Sequence, residues 1–335
     1  MAEQSYLHDR PLAVAGDAKT RHGIIVTANY IARKFGIKTG MNLNSARQLC
    51  PQLTVITPDK ALYRRYSEDL HKIFRQYTSL IEPLSLDEAW LDMTESLALG
   101  QDPRPVAKEL QDRVRKDVGI TVSIGISINK MLAKQVSDWS KPSGLTVLTG
   151  GEVRSRLWNR PMLELFGCGP ATSHKMAEIG IEDIGDLAQW PLSDILHQWG
   201  HHGLQLYLRA WGKDWTPVSS PSIADRRSVS AEHTTAADLS AVEDVWPWLQ
   251  LCAQEVAERL RQLDLVGYRV GIKWRTPNFV THNRQMMSHR PLNSADTICW
   301  YARKLWNTAN CPVRLVGISV SVLETPSRQL RFWDN

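Results

Sequence analysis

The chain has 335 residues, 43% hydrophobic and 22% charged, with 40 Lys+Arg against 35 Asp+Glu for a net charge of +5. That length holds two or more domains with their own cores, and the balance is that of a soluble globular protein rather than a fibrous or disordered one. No apolar run approaches the ~20 residues of a membrane span, so no membrane partner is expected.

The start, MAEQSYLHDRPLAVAG, lacks the basic stretch and apolar core of a signal peptide. Five scattered cysteines without a C-x-x-C pair suggest neither a disulfide framework nor a zinc site, and a reducing cytoplasm fits. Lys+Arg exceed Asp+Glu by 8 to 4 over residues 1–60 and by 14 to 10 over 226–335. They balance at 12 to 12 over 61–150 and fall short, 6 to 9, over 151–225. Basic ends around a neutral, then acidic middle suit a polyanion gripped by separate segments.

In chain order, GIIVTANYIARK begins as a strand and turns helical, and GMNLNSARQLCP reads as a short helix opened by Asn42 or Asn44. Residues 61–77 carry apolar side chains three and four apart, an amphipathic helix. LIEPLSL and EAWLDMT are two short strands meeting near Asp87. PVAKELQDRVRKDVG is a helix, ITVSIGIS a buried strand, NKMLAKQVSDWSK a helix and GLTVLT a strand, closing a mixed α/β domain near residue 150. Residues 151–212 read as all-helical with turns at Gly167–Pro170, Gly180 and Gly200, and 214–226 as a Pro/Ser-rich linker. Beyond it, RRSVSAEHTT, VGYRVGIKWRT and VRLVGISVSVLE are strand-like and alternate with helices at 243–262 and 294–309, two similar strand–helix–strand halves.

Four stretches carry chemistry. In EPLSLDEAWLDMTES the adjacent Asp87 and Glu88 repel one another, and they converge only if a turn or distortion sits between their strands. A hard divalent cation such as Mg²⁺ would relieve that repulsion; a solvated hairpin tip is the plain alternative. VTANYIARKFGIKTGM supplies Thr27, Tyr30, Arg33, Lys34 and Lys38, a cluster that suits a triphosphate or simply makes a basic helix face. FGCGPATSHKMAEIGIEDIGDLA places Gly167 and Gly169 before a helix restarting at Pro170, the outline of a helix-hairpin-helix whose turn offers N–H groups to a phosphate. Arg226, Arg227, Ser228, Lys273, Arg275 and Arg284, with Ser230 and Thr276, sit on or beside strands where they either follow a sugar–phosphate backbone or make a charged outer face.

Together SLDEAWLDMT, TANYIARKFGIKTGM, GISINKMLAKQVSDWSKPSGLTVL and LFGCGPATSHKMAEIGIEDIGDLA resemble the Y-family, or translesion, DNA polymerases of the bacterial DNA polymerase IV type, in that family's order and over nearly the whole chain. The resemblance implies an α+β multidomain right hand: fingers to about residue 60, a ferredoxin-like palm over 61–150, a helical thumb with a helix-hairpin-helix over 151–213, and an α+β little finger over 227–325. It implies two Mg²⁺ ions on Asp87 and Glu88, and triphosphate contacts from Thr27, Tyr30, Arg33 and Lys134, with Ser85 in support. It also implies a monomer working on primer–template DNA with dNTPs at an open, low-fidelity site. The tail QLRFW (Gln329, Leu330, Phe332, Trp333) is similar to a peptide that binds the sliding clamp, though Phe-Trp stands where Leu-Phe is usual.

One departure is expected to matter. Members of the family open with a strand D-x-D-x-F-[FY]-A-S-V-E, the source of a third metal-binding carboxylate and of an aromatic gate against ribonucleotides. Here the chain begins MAEQ, and AEQ aligns with the end of that motif. A start placed too far downstream, a fragment and a degenerate homologue each account for this. The leading reading is template-directed, error-prone DNA synthesis. The alternatives are a catalytically impaired remnant that binds DNA and clamp, and, more remotely, a nucleotide cyclase on a palm-like fold.

Overall fold

Short apolar runs set the opening layer of the computed structural model, which describes residues 7, 9–16, 23–98, 100–220, 226–306 and 312–326. β1 (Leu12–Ala15) is buried at every residue and lies centrally, antiparallel to β2 (Ile25–Ala28) and parallel to β3 (Thr54–Ile56). β2 turns Ile25 and Ala28 inward and leaves Val26 and Thr27 exposed. α1 (Tyr30–Lys34) starts where Asn29 caps it, accepting from the Ala32 N–H at 2.9 Å. The same Asn29 accepts from Leu12 N–H on β1 at 3.1 Å and donates to the Arg10 carbonyl at 2.8 Å, tying the helix start to the sheet. α2 (Leu43–Leu49) is capped by Asn42. Ala13, Ile25, Ala32, Ile37, Leu43 and Cys50 form the core beneath.

Residues up to Pro58 group with those from Arg226 onward, and Asp59 to Ser220 form a second compact unit. In that second unit α3 (Lys60–Phe74) and α4 (Arg104–Asp117) bury Leu70, Ile73, Phe74, Leu110 and Val114 against β4 (Ile81–Pro83), β5 (Ala89–Leu91) and β6 (Ile124–Ser127). β4 and β5 pair antiparallel, while β6 pairs in parallel with β7 (Leu145–Leu148). ITVSIGIS was expected to be buried, yet β6 is only half-buried throughout. Among the described residues it has a ladder partner on one side alone. α5 (Lys130–Ser137) rests directly on β6, since a Cβ at Gly125 would lie 2.0 Å from the Ala133 carbonyl oxygen.

α6 (Val153–Leu157), α7 (Pro170–Ala177), α8 (Ile184–Gln189) and α9 (Leu192–Ala210) enclose a core that also takes in Met131, Leu132 and Val136 of α5 and Leu148 of β7. The turn expected at Gly200 is a kink inside α9, with φ +55° at the glycine. The linker expected from residue 214 is, up to Ser220, fastened rather than loose. Asp214 accepts from Met131 N–H at 3.2 Å, the Pro217 carbonyl accepts from Lys130 at 3.2 Å, and Ser219 N–H donates to Glu82 at 2.9 Å. Its polar side chains and free backbone groups give a Pro/Ser-rich stretch the means to dock, which composition alone does not report.

The C-terminal segment is one sheet in the order β10-β9-β11-β8, antiparallel at every step. β8 (Ser228–Leu239), α10 (Val242–Gln262) and β9 (Val266–Arg275) make one strand–helix–strand half; β10 (Thr281–Leu292), α11 (Ala295–Leu305) and β11 (Val313–Glu324) make the other. Leu249, Val256, Leu260, Ile272, Ile298, Val316 and Val320 pack between the helices and one face of the sheet. Among the described residues no helix is long and apolar enough to cross a membrane.

Candidate active site and nucleic-acid interface

The β4–β5 hairpin resolves the crowding of Asp87 and Glu88. Pairing runs Ile81↔Leu91, Glu82↔Trp90 and Pro83↔Ala89, so both acids fall in the turn, where strand alternation no longer sends neighbours to opposite faces. Leu84 N–H and Ser85 N–H donate to the Glu88 carbonyl at 2.8 and 3.2 Å and close that turn. The Ser85 hydroxyl donates to Asp87 Oδ1 at 2.7 Å and accepts from Asp87 N–H at 3.3 Å, which fixes the carboxylate of an otherwise exposed residue.

Glu88 is half-buried and meets Lys134 Nζ of α5 at 2.8 Å. Lys134 also reaches Asp138 at 3.1 Å, and Asp138 reaches Lys141 at 2.5 Å. Burial works against the charge on Lys134, but the Glu88 and Asp138 carboxylates outweigh it and hold the ammonium above its ordinary value. Burial likewise opposes the charge on Asp138, and Lys141 and Lys134 together keep its carboxyl below the usual range. One turn earlier on α5, Lys130 Nζ chelates both oxygens of Glu82, at 2.7 and 2.6 Å.

Among the described residues no group of three or more His, Cys, Asp or Glu side chains converges as a metal site. Asp87 and Glu88 are nevertheless the right donors for Mg²⁺, which binds through one or two carboxylates and draws its remaining oxygens from water and substrate phosphates. The donor set fits metal ions shared with substrate and water rather than a protein-only cage.

Thr27, Tyr30 and Arg33 lie in the other unit. Tyr30 and Arg33 share a face of α1, with the guanidinium 5.4 Å from the ring centroid. Arg33 Nε donates to the Ala28 carbonyl at 2.9 Å, which aims the fork outward, and Thr27 is exposed on β2.

Gly167 and Gly169 lie just before the start of α7. Gly167 has φ +90°, a conformation that favours glycine, and a Cβ there would sit 2.0 Å from Arg209 Nη1. Gly169 is the N-cap, and a Cβ on it would meet nothing within 4 Å, so the approach to the first helical N–H groups is open.

On the C-terminal sheet the face opposite the helices carries Ser228 and Ser230 on β8, Lys273 and Arg275 on β9, and Ser319 and Ser321 on β11. A cavity of about 430 Å³ opens there, floored by Gly271 and Gly317. A Cβ on Gly271 would come 2.7 Å from Ser319 Oγ, and one on Gly317 2.8 Å from Glu232 Cβ, so the floor stays low. Lys273 pairs with Glu232 at 2.7 Å and Arg275 Nε donates to Thr281 Oγ1 at 2.8 Å. Arg226 and Arg227 are exposed just before β8.

Arg284 departs from the expectation. It is in register with the core residue Ile272, whereas Asn283 is the one opposite Lys273. Its guanidinium therefore turns to the helix-bearing side, over the Trp274 ring at 5.5 Å, with Nη1 donating to the carbonyl of Leu305 that ends α11. A basic residue on a strand takes its face from register, and no feature of THNRQMMSHRPL announces that register. Gln329, Leu330, Phe332 and Trp333 lie outside the described residues.

Three residues escaped the sequence reading. Glu82 is visible there only as one more acid, and Lys130 only as one residue of the helix NKMLAKQVSDWSK. Gly125 alone had a signal, a small residue in a strand followed by a helix, which marks close approach.

Comparison with known proteins bears on the whole chain. Family models described as the impB/mucB/samB family and its C-terminal domain match residues 1–138 and 226–332. A protein named DNA polymerase IV from Alkaliphilus oremlandii (strain OhILAs) is 36% identical over 329 residues, 98% of this chain and 83% of that one. Proteins of the same name from Moorella thermoacetica (38%, covering 95% of this chain and 80% of that one) and Ectopseudomonas mendocina (37%, covering 98% and 93%) are similar too. Among solved structures, a Y-family DNA polymerase chimera of Dbh and Dpo4 matches with a TM-score of 0.86 at 24% identity, over 97% of this chain and 95% of that one. An insertion ternary complex of Dbh DNA polymerase matches at 0.67 and 23% identity, over 96% and 94%.

Proposed function

We infer the work of the site from one premise: the chain belongs to the impB/mucB/samB family of Y-family DNA polymerases, the DNA polymerase IV type. Its reaction is template-directed DNA synthesis of the translesion kind, a nucleotidyl transfer from dNTPs to a primer 3′-OH. The observation that carries the assignment of residues is the hairpin turn, with Asp87 exposed and fixed by Ser85 beside Glu88 paired to Lys134.

In this proposal Asp87 and Glu88, together with the substrate, would hold two Mg²⁺ ions, which would supply a lowered pKa at the primer hydroxyl and charge neutralisation at the phosphates. Lys134, whose ammonium Glu88 and Asp138 favour against the opposing effect of burial, is the cation this reading places against an incoming triphosphate. Arg33 offers a bidentate fork to phosphate oxygens, Tyr30 braces it, and Thr27 adds a hydroxyl. Gly167 and Gly169 present backbone N–H groups to a DNA phosphate. Arg226, Arg227, Ser228, Lys273 and Arg275 hold the duplex backbone without reading bases.

Residues 61–150 serve as palm, 151–213 as thumb, 227–325 as little finger and the residues before about 60 as fingers. The enzyme works as a monomer in the cytoplasm, and a sliding clamp met by Gln329–Trp333 is its further partner. Primer extension with Mg²⁺ and each dNTP singly tests the reading. Incorporation that follows the template base and disappears in Asp87→Ala/Glu88→Ala supports it, while template-independent addition or incorporation surviving the double substitution overturns it.

A further inference from the structure

We propose that Glu82 and Lys130 are positioning residues, holding α5 on the acidic hairpin so that Lys134 meets Glu88; the proposal rests on the polymerase reading above. The helix is stapled to the hairpin twice. Lys130 and Lys134 lie one turn apart and point the same way. The first meets Glu82 on β4 with both oxygens, and the second meets Glu88 at the far side of the same turn.

The two staples differ in kind. The Lys130 and Glu82 side chains are 10% and 20% exposed, against 14% and 36% for Lys134 and Glu88. The remaining valences of the first pair are filled. Trp90, directly opposite Glu82, lies under Lys130 Nζ at 4.8 Å and donates its indole N–H to the Lys130 carbonyl at 2.9 Å. Ser219 N–H donates to Glu82, and Lys130 donates to the Pro217 carbonyl. A pair bonded on every side cannot pass its lysine to a phosphate without leaving a desolvated carboxylate bare, so it does not bind nucleotide. It is the fixed point from which Lys134 is aimed, and misplacing a charged group by about 1 Å costs on the order of a hundredfold in rate.

The test compares full-length wild type with Lys130→Met, Lys130→Arg and Glu82→Gln. Single-nucleotide incorporation, primer–template Kd and hydrogen exchange over residues 214–220 are measured on the same preparations. Lys130→Met is expected to raise the KM for dNTP on the order of tenfold, leave the primer–template Kd unchanged and speed exchange over 214–220. Lys130→Arg, which still meets both oxygens of Glu82, keeps KM near wild type, and Glu82→Gln moves KM in the same direction as Lys130→Met by a smaller factor. A merely structural pair would lower the active fraction and hence kcat while leaving KM alone in Lys130→Met or Glu82→Gln, and that result overturns the proposal. Wild type that incorporates nothing overturns the polymerase reading and this proposal with it, so the two failures are told apart by the wild-type control.

Discussion

The acidic hairpin and the open face of the C-terminal sheet each hold a lysine–carboxylate pair of almost the same length, Lys134–Glu88 at 2.8 Å and Lys273–Glu232 at 2.7 Å. Their surroundings differ. Lys134 and Glu88 are 14% and 36% exposed, while Lys273 and Glu232 are 33% and 51% exposed. An exposed pair contributes about 0–1 kcal/mol and is screened by salt, so parting Lys273 from Glu232 costs little, as the proposed DNA-phosphate contact requires. A fully desolvated pair that loses one partner costs about 3–5 kcal/mol; Lys134 is better shielded than Lys273, but Glu88 keeps enough solvent contact to place this pair between the two regimes. Distance does not set the value of an ion pair; burial does. The pair at the hairpin is held more firmly than the pair on the sheet.

The largest break in this contrast comes at the hairpin. Asp87→Ala/Glu88→Ala should abolish incorporation, since it removes both carboxylates proposed to share the metal. Band-shift titration should find primer–template binding preserved. Lys134→Ala comes next. It should raise the KM for dNTP about ten- to a hundredfold if, as proposed, that charge meets the triphosphate, read by single-nucleotide kinetics across dNTP concentration.

How far the sequence foretells these sites depends on whether a signal is local. Asn42 as a cap, the amphipathic α3 and the two halves of the C-terminal sheet are written in spacing of a few residues. The Asp87–Glu88 turn is written in SLDE between two short apolar runs. Lys134 opposite Glu88 lies 46 residues away, and Lys130 opposite Glu82 lies 48 away. Such partners are set by how α5 seats on β6 over Gly125, a tertiary fact with no local mark; the family resemblance named Lys134 where spacing could not. β1, four buried residues without alternation, and β10, polar along most of its length at the sheet's edge, give no strand pattern to read. The same edge hid the register that turns Arg284 away from Lys273 and Arg275.

A smaller effect is expected on the sheet. Lys273→Ala and Arg275→Ala should weaken binding about equally across template sequences, each lowering the slope of log K against log salt by about 1. Fluorescence anisotropy over a salt series measures this. Arg284→Ala should leave that slope unchanged, because its guanidinium is spent on Trp274 and the end of α11.

The smallest effect is one of acid stability. Burial disfavours the Glu82 carboxylate, but Lys130 and the Ser219 amide outweigh it and hold the carboxyl below its ordinary value of 4.5. A depressed folded value contributes stability that is present above 4.5 and lost as pH falls through the lower folded value. Glu82→Gln should therefore flatten the decline of stability below that pH, as followed by denaturant unfolding from about pH 3 to 6.

The most direct test puts both regions in one experiment: single-turnover incorporation and primer–template affinity for wild type, Asp87→Ala/Glu88→Ala and Lys273→Ala/Arg275→Ala. The hairpin variant should bind DNA as wild type does and incorporate nothing. The sheet variant should bind weakly yet incorporate at the wild-type rate once DNA is saturating. A hairpin variant that still extends primers, or a sheet variant slow at saturating DNA with wild-type affinity, would contradict the division of labour between the two regions.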